Sequence, residues 1–226
     1  MRDRSPRTAS YSVDVVLMTT TGKELAVLFA RTSTERERWS LPWKIPQGGE
    51  TLDAAAARIA QEALGESPSW TDQIGAFGDG KRHPSDTEVS VAHVGLVPHE
   101  TASPRPGYTW FPIGELPPLS PRQRAMVESA TRIIQSRLDQ APIAFRLLPA
   151  TFTLSELQQM YELLLSKRLH KASFRRALQA SWLVEPTDEW RSEGRGRPAQ
   201  LFRYSPKKKR RPQRGVRFDF LYPEGR

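Results

Sequence analysis

One continuous stretch, residues 39–66, constrains the fold most, because it prescribes a loop that leads directly into a helix. Its sequence is WSLPWKIPQGGETLDAAAARIAQEALGE. Proline and glycine fill the first half, as in loops, whereas alanine dominates residues 51–64, as in helices. Thr51 is suited to cap the start of this helix, and Gly65 is suited to end it. The stretch therefore predicts a loop that leads directly into a helix at residues 51–64.

The spacing of acidic and basic residues in this stretch resembles the Nudix box, G-x5-E-x7-R-E-U-x-E-E-x-G-U, where U is a bulky aliphatic residue. The pattern fits without a gap. Four of its positions are kept, namely Glu50, Arg58, Glu62 and Gly65. Five positions differ, namely Lys44 at the loop glycine, Ile59 and Ala63 at two glutamates, and Ala60 and Glu66 at aliphatic positions. In Nudix hydrolases the glutamates hold Mg²⁺ against a diphosphate. The resemblance implies a diphosphate-binding frame without its metal chemistry.

The missing acids bear directly on catalysis. Mg²⁺ is held by several oxygen ligands, and one carboxylate binds it weakly. Positions 59, 62 and 63 would share one helix face, and two of these three residues cannot ligate. Glu62 alone is expected to form a salt bridge, for example with Arg58 four residues earlier. The sequence therefore predicts no catalytic residue, no metal, no cofactor and no enzyme. The alternative is an active Nudix phosphohydrolase with a nucleic-acid-binding appendage.

Binding of a ligand can survive this loss, because arginine, lysine and backbone N–H groups hold phosphate without metal. The candidate ligand-binding residues are Arg31, Trp43, Lys44, Arg58, Glu62, Lys81 and Arg82. Trp43 could stack on a base or sugar, or fill the vacated pocket. Each charged candidate could equally be an ordinary surface residue.

Charge is distributed unevenly along the chain. Residues 1–150 hold 17 Lys+Arg and 17 Asp+Glu, whereas residues 151–226 hold 17 and 8, so the net charge of +9 lies in the last third. This asymmetry indicates a polyanionic partner, nucleic acid first, and a solubilising basic tail is the alternative. There are no cysteines and no apolar run near the ~20 residues of a membrane span. We expect a soluble cytoplasmic protein, associated with the nucleoid and not with a membrane.

The periodicity of apolar residues predicts a mixed α+β order. The predicted strands are residues 11–18, 25–31, 72–79, 88–97, 108–111, LVEPT (183–187) and QLFRY (200–204). The predicted helices are residues 51–64, 121–138, 153–166 and 170–180. The last two helices and two strands, with a hairpin at 188–198, follow the winged helix-turn-helix plan. The predicted parts are a disordered arm (1–10), an effector and dimerisation domain (11–148), a DNA-binding domain (149–206) and a basic tail (207–226).

In a helix-turn-helix the second helix enters the major groove. Its candidate DNA-binding residues are His170, Lys171, Ser173, Arg175, Arg176 and Gln179, while Phe174, Ala177 and Leu178 should face the core. The hairpin contains Arg195-Gly196-Arg197-Pro198, which resembles the core of an AT-hook. Arginines in this arrangement suit a narrow minor groove, and a tight turn with solvated arginines is the alternative.

Together the two halves resemble the Nudix-related transcriptional regulators of the NrtR type and their sugar-responsive relatives. The matching stretches include AFGDGKRHP, VSVAHVGLVP, WFPIGELPPL, LLPATFTLSELQQMYELLL and GRGRPAQLFRY. The resemblance implies an α/β/α Nudix-like sandwich and a winged helix, in a homodimer that binds a double-stranded operator. It also implies that ADP-ribose or a related metabolite weakens DNA binding, with the loop Lys81-Arg82-His83-Pro84 on the ligand side. Trp43 and Lys44 depart from the LPGG loop of many members. The predicted function is a repressor, and a purely architectural DNA binder is the alternative.

Overall fold

The structure is a computed structural model that describes residues 11–21, 24–32, 39–78, 83, 86–192, 198–206 and 216. The arm 1–10 and all of the tail 207–226 except Val216 lie outside the described residues. The described residues form two compact units. The first comprises residues up to Val97 and Thr101–Ala130, and the second comprises Pro98–Glu100 and the residues from Thr131 onward. The domain boundary predicted at 148/149 stays a prediction. No helix of the described part is long and apolar enough to cross a membrane.

The first unit is built on one mixed sheet of seven strands. These are β1 (Tyr11–Thr21), β2 (Glu24–Arg31), β3 (Trp39–Ser40), β4 (Trp43–Lys44), β5 (Trp70–Phe77), β6 (Val89–Leu96) and β7 (Tyr108–Pro112). Along the sheet the order is β3-β2-β1-β6-β5, with β4 also paired to β1 and β7 also paired to β2. Only the β1–β6 pairing is parallel among the described strand pairs of this sheet. The five longer strands were predicted within three residues of their observed ends.

Alternation along β1 gives this sheet two different faces. Val13, Val15 and Leu17 join a buried apolar cluster with helix α1 (Leu52–Leu64). Ser12 and Asp14 point to the opposite face, and both are fully buried. Helix α2 (Pro121–Arg137) contacts that opposite face through its first turn, as described below. The α1 face is therefore apolar beneath the helix, and the α2 face contains a polar core.

The ends of α1 follow the sequence signals. Thr51 accepts a hydrogen bond from the Ala54 N–H, and Gly65 ends the helix at φ 83°, in the left-handed region. That conformation suits glycine, which has no Cβ to clash. Helix α2 matches the prediction for 121–138 except at Leu138. Its buried residues include Arg122 and Gln123, which a pattern of apolar residues alone does not mark.

The second unit has a winged-helix plan. Helices α3 (Leu154–Leu165) and α4 (Lys171–Ser181) are followed by an antiparallel three-stranded sheet with the order β8-β10-β9. Its strands are β8 (Thr151–Phe152), β9 (Val184–Arg191) and β10 (Ala199–Tyr204). Thr153 and Glu156 form a capping box at the start of α3. The predicted fold class, a Nudix-like domain followed by a winged helix-turn-helix, is confirmed.

The core of this unit is aromatic. Tyr161 of α3 lies 5.7 Å from Phe174 of α4, measured between ring centroids, and Phe145 stacks at 4.7 Å from Tyr204 of β10. Val216 is fully buried, and its N–H donates a hydrogen bond of 3.3 Å to the Tyr161 hydroxyl. Burial raises the pKa of that hydroxyl, and the Val216 hydrogen bond partly offsets the rise. One residue of the tail thus belongs to the winged-helix core.

A carboxylate organises the turn between α3 and α4. Glu162 accepts hydrogen bonds from Gln158, the Leu169 N–H and Arg168, at 2.9, 2.9 and 3.0 Å. Burial opposes ionisation of Glu162, but these donors together lower its pKa. The turn is therefore fixed by hydrogen bonds, which sets where α4 begins.

Three details differ from the sequence predictions. Residues 188–191, predicted within the hairpin loop, belong to β9, because Arg191 pairs with Ala199 and its guanidinium bonds Glu156 at 2.6 Å. Helical periodicity predicts that Leu154 and Leu165 lie in the buried face of α3, but both are only partly buried. The short strands β3, β4 and β8 were not predicted, since two residues carry no readable periodicity.

Candidate functional site

The polar residues kept from the Nudix-box pattern form one network beside α1. Arg58 donates through Nε and Nη2 to the two carboxylate oxygens of Glu50, both at 2.8 Å. Its Nη1 lies 3.4 Å from Glu62, so the salt bridge predicted between positions 58 and 62 is present. Lys44 Nζ lies 2.8 Å from the other oxygen of Glu62. Three of the predicted ligand-binding residues, Lys44, Arg58 and Glu62, are therefore brought together.

This network shifts the pKa of Glu50, Glu62 and Arg58 in the direction that favours their charged forms. The hydrogen bonds from Arg58 lower the pKa of Glu50 to about 2, and the Gln47 N–H adds to the effect. The hydrogen bond from Lys44 is the largest cause that lowers the pKa of Glu62. The bond to Glu50 in turn raises the pKa of Arg58. Glu50 and Glu62 are therefore carboxylates near neutral pH, and each is bound to at least one basic side chain.

The two lost glutamate positions point away from this network. Ile59 and Ala63 are 1% and 0% exposed and pack in the apolar cluster between α1 and the sheet. Glu62 lies at the margin of α1, with 40% of its side chain exposed. Positions 59, 62 and 63 lie on one side of α1, as expected from helical spacing, and Glu62 is at the exposed edge of that side. Among the described residues, no three His, Cys, Asp or Glu side chains are grouped to hold a metal ion.

Trp43 lies on the other face of the sheet. In β4, Trp43 pairs with Asp14 and Lys44 pairs with Val13, so the two neighbouring side chains leave opposite faces. Trp43 makes an edge-to-face contact with His83 at 5.4 Å between ring centroids. The two residues that replace the loop glycines therefore do not line one surface.

A buried polar cluster lies beneath Trp43. His83 Nε2 and Asp14 Oδ1 are 2.7 Å apart, and both side chains are fully buried. Ser12 donates to Asp14 at 2.7 Å and lies 3.0 Å from the Ser90 hydroxyl. Arg122 of α2 donates to the Thr87 carbonyl and the Ser90 hydroxyl at 3.3 and 3.5 Å. The cluster connects the end of the 79–87 segment to the first turn of α2.

The remaining ligand-side candidates are placed as follows. Arg31 is exposed at the end of β2, opposite Trp39 of β3. Counting along β2 from Leu28, which packs under α1, puts Arg31 on the same face as Trp43. Lys81, Arg82 and Pro84 lie outside the described residues, whereas His83 is described and anchored. The ligand-binding assignments themselves stay predictions.

Sequence reasoning missed Tyr108 on the α1 face. Tyr108 of β7 packs against the apolar cluster, and Lys44 and Glu62 both act on its hydroxyl. Burial raises its pKa, Lys44 lowers it and Glu62 raises it. The alternation of β7 could have placed Tyr108 on the same face as Trp110, but only the β2–β7 pairing brings it next to the box.

His93 of β6 also lies on the α1 face and was not predicted. Its Nε2 is 3.3 Å from Asp53 Oδ1, without hydrogen-bond alignment, and its side chain is 2% exposed. Burial lowers the pKa of His93, and the charge of Asp53 partly offsets this. The neutral imidazole is therefore favoured in the folded protein.

Helix α4 presents the predicted DNA-binding side chains on one surface. Phe174 and Leu178 are buried and Ala177 is partly buried, which fixes the orientation of the helix. The exposed residues are His170 at the N-cap, Lys171, Arg175, Arg176 and Gln179, and Ser173 is partly exposed beside His170. No carboxylate of the described chain forms a salt bridge with Lys171, Arg175 or Arg176. This helix contains no acidic residue.

The wing differs from α4 in how it uses its basic residues. Arg191 of β9 is paired with Glu156 at 2.6 Å, and Arg203 of β10 is paired with Glu185 at 3.3 Å. Trp190 is 56% exposed on β9. Arg195 and Arg197 at the wing tip lie outside the described residues. Their assignment to DNA stays a prediction.

Comparison with known proteins agrees with both units. The NUDIX domain family matches residues 9–130, and the family described as the NrtR DNA-binding winged helix domain matches residues 144–204. The ADPR responsive transcriptional repressor NtrR of Acinetobacter baylyi is 26% identical over 204 residues, which cover 86% of this chain and 81% of that protein.

Solved structures are similar over most of the chain. Shewanella oneidensis NrtR, crystallised with a 27mer DNA, is 26% identical, with a TM-score of 0.77 over 92% of this chain and 98% of that chain. A MutT/nudix family protein from Enterococcus faecalis shares the fold at 17% identity, with a TM-score of 0.69 over 89% and 90% of the two chains. The chain therefore belongs to the Nudix family, as a Nudix-related transcriptional regulator of the NrtR type.

Proposed function

We propose that this protein is a transcriptional repressor that binds a DNA operator through its winged helix and is released by a metabolite bound to its Nudix domain. The observation that carries this proposal is the exposed surface of α4, whose cations have no carboxylate partner among the described residues. Arginine and glutamine there are suited to base edges, and lysine and serine to phosphates. The similarity to an NrtR crystallised with DNA supports the same function. Such a repressor acts at the chromosome, in the cytoplasm, as a homodimer.

The proposed effector is ADP-ribose or a related phosphorylated metabolite. It is supported by the name of the Acinetobacter relative and by the cationic residues Lys44 and Arg58 beside α1. The chain does not hydrolyse this ligand in our proposal, because Ile59 and Ala63 are buried apolar residues where the box pattern has glutamates. A sensor that does not consume its signal reports the concentration of that signal.

Fluorescence anisotropy with duplexes from the upstream regions of neighbouring genes tests the DNA-binding step, at several salt concentrations. We expect one duplex to bind at least about 1,000-fold more tightly than random DNA, as specific binding typically does. Equal affinity for all duplexes would exclude a sequence-specific repressor and favour an architectural DNA binder.

Hydrolysis is tested separately by phosphate and nucleotide analysis after incubation with ADP-ribose or NADH and Mg²⁺ or Mn²⁺. We expect no turnover. Turnover that is abolished by Glu62→Gln would show instead that the protein is an active phosphohydrolase. A thermal-shift titration with ADP-ribose then asks whether the Nudix domain binds a metabolite at all, since a ligand of the folded state raises the melting temperature.

We further propose that α2 couples the ligand to DNA binding. Its residues up to Ala130 belong to the first unit and those from Thr131 to the second, so one helix continues through both. Arg122 in its first turn is bonded to Thr87 and Ser90, in the buried cluster that also holds His83. A ligand that displaces His83 or Thr87 would change these bonds and shift α2.

Arg122→Gln tests this coupling. We expect ADP-ribose and DNA each still to bind, while the factor by which ADP-ribose weakens DNA binding falls from the roughly 5- to 150-fold that is typical of allosteric coupling towards one. Arg124→Ala, which removes an exposed cation two residues away, is the control. Unchanged coupling in Arg122→Gln would exclude this route.

A further inference from the structure

The Nudix family implies a divalent cation at the box, and the residues of this chain do not fit one. Positions 59 and 63 lie in the apolar core as Ile59 and Ala63, so neither can offer an oxygen. The two carboxylates that remain, Glu50 and Glu62, are already bonded to cations. Mg²⁺ requires near-octahedral oxygen ligands, and no three His, Cys, Asp or Glu side chains of the described residues are grouped to supply them.

Lys44 stands where the pattern has its loop glycine, and its ammonium lies 2.8 Å from Glu62, a position at which the family pattern has a metal-binding glutamate. Strand β4 fixes the backbone of Lys44 through its pairing with Val13 of β1. The side chain is 46% exposed. An ammonium has three N–H donors. Within the described chain, Lys44 forms a salt bridge with Glu62 alone. Donors therefore remain that can face a ligand.

The charge balance supports the same reading. Here two cations, Lys44 and Arg58, face two carboxylates, Glu50 and Glu62, and the network is neutral. A complete box has four glutamates and one arginine at these positions, and it repels a diphosphate strongly unless a metal ion is added. Replacing two acids by apolar residues and a glycine by lysine removes that repulsion without any ion.

We propose that the Lys44 ammonium replaces the divalent cation of the Nudix box, and that this face binds the diphosphate of its ligand without metal. Glu62 orients the ammonium, and Arg58, held by Glu50, supplies the second cation. This inference rests on the proposed sensing function and assigns its ligand contact to particular residues. Trp43 is not part of this contact, because its side chain leaves the other face of the sheet.

Isothermal titration calorimetry on the full chain tests the proposal, with ADP-ribose and inorganic pyrophosphate as probes, in EDTA and in Mg²⁺. We expect the Kd for ADP-ribose to agree within about twofold between the two conditions, because no ion takes part. Lys44→Gln should weaken binding roughly 10- to 100-fold, since one charge-assisted hydrogen bond is lost. Lys44→Arg should keep most of the affinity.

Arg124→Gln is the matched control, since it removes an exposed cation of the first unit that lies outside this network. It should bind ADP-ribose as tightly as the parent. Melting temperatures of all variants show that they are folded. Binding that requires Mg²⁺, binding unaffected by Lys44→Gln, or no binding of either probe would each overturn the proposal. Operator binding measured on the same samples separates this failure from failure of the repressor function.

Discussion

Helices α1 and α4 are both short and amphipathic. The one basic residue of α1 and the three of α4 differ in whether they have an acidic partner. Arg58 of α1 forms salt bridges with Glu50 and Glu62, and Glu62 forms a second salt bridge with Lys44. Arg175, Arg176 and Lys171 of α4 meet no carboxylate in the part of the chain that the structure describes. Paired cations stabilise and orient a local site, whereas unpaired cations are available to a polyanion. The number of basic residues alone does not distinguish these roles.

The largest expected effect comes from removing the unpaired cations. In Arg175→Ala/Arg176→Ala we expect operator affinity to fall about 100-fold, since each lost phosphate or base contact costs about 1–3 kcal/mol. The salt dependence of binding should become less steep. Anisotropy titrations measure both quantities, with Arg124→Ala, which removes one exposed cation outside α4, as the control. A fall in the control as large as half of that in the double variant would mean that α4 has no special role.

The second prediction makes α4 resemble α1. Ala172 is exposed and precedes Arg176 by four residues, so Ala172→Glu supplies a carboxylate in the favourable orientation for pairing. We expect operator affinity to fall roughly tenfold, because the new carboxylate repels the DNA phosphates and competes with them for Arg176. The melting temperature should stay the same or rise slightly. Ala172→Gln is the control, since glutamine has nearly the size of glutamate without its charge, and it should bind the operator nearly as tightly as the parent. An equal loss of affinity in both variants would mean that the size of the side chain, and not its charge, is responsible.

The ion pair between Arg58 and Glu50 predicts a pH dependence of stability. Arg58 lowers the pKa of Glu50 from 4.5 to about 2. A carboxyl whose pKa is lower in the folded state stabilises above the unfolded pKa, and this contribution is lost as the pH falls from about 4.5 towards 2. Glu50→Gln should therefore melt lower than the parent at pH 7, and the two melting temperatures should converge near pH 2. Parallel curves over that range would contradict the pairing.

A smaller pH effect on stability is expected from His93. Its Nε2 lies near Asp53 of α1 without the alignment of a hydrogen bond. Burial lowers the pKa of His93, so the folded protein disfavours the protonated ring. Stability should fall as the pH drops below about 6.5, where the unfolded chain takes up the proton. His93→Leu should remove this part of the pH dependence between pH 7 and 5. If the melting temperatures of His93→Leu and the parent fall equally between pH 7 and 5, a group other than His93 causes the pH dependence.

Local signals in the sequence were sufficient wherever one element determines its own structure. Thr51 and Gly65 bound α1, the capping box starts α3, and Phe174 with Leu178 orients α4. The pair at positions 58 and 62 was predictable for the same reason, since helical spacing brings them together.

Contacts that depend on strand pairing could not be predicted from the sequence. The separation of Trp43 from Lys44 follows from the two-residue strand β4, and Asp14 meets His83 across 69 positions of sequence. Tyr108 joins the box only because β7 pairs with β2. The predicted pocket therefore grouped residues that the sheet divides, and it omitted residues that the sheet supplies.

The burial of Val216 has a practical consequence for dividing the molecule. The match to the winged-helix family ends at residue 204, and the last strand ends at Tyr204. A fragment cut there would lose a fully buried side chain, worth about 1.5–3 kcal/mol for a valine, and the N–H that meets the Tyr161 hydroxyl. The smallest fragment that keeps the aromatic core intact therefore extends at least to Val216. Residues 207–215 must be included in it, whatever they contact.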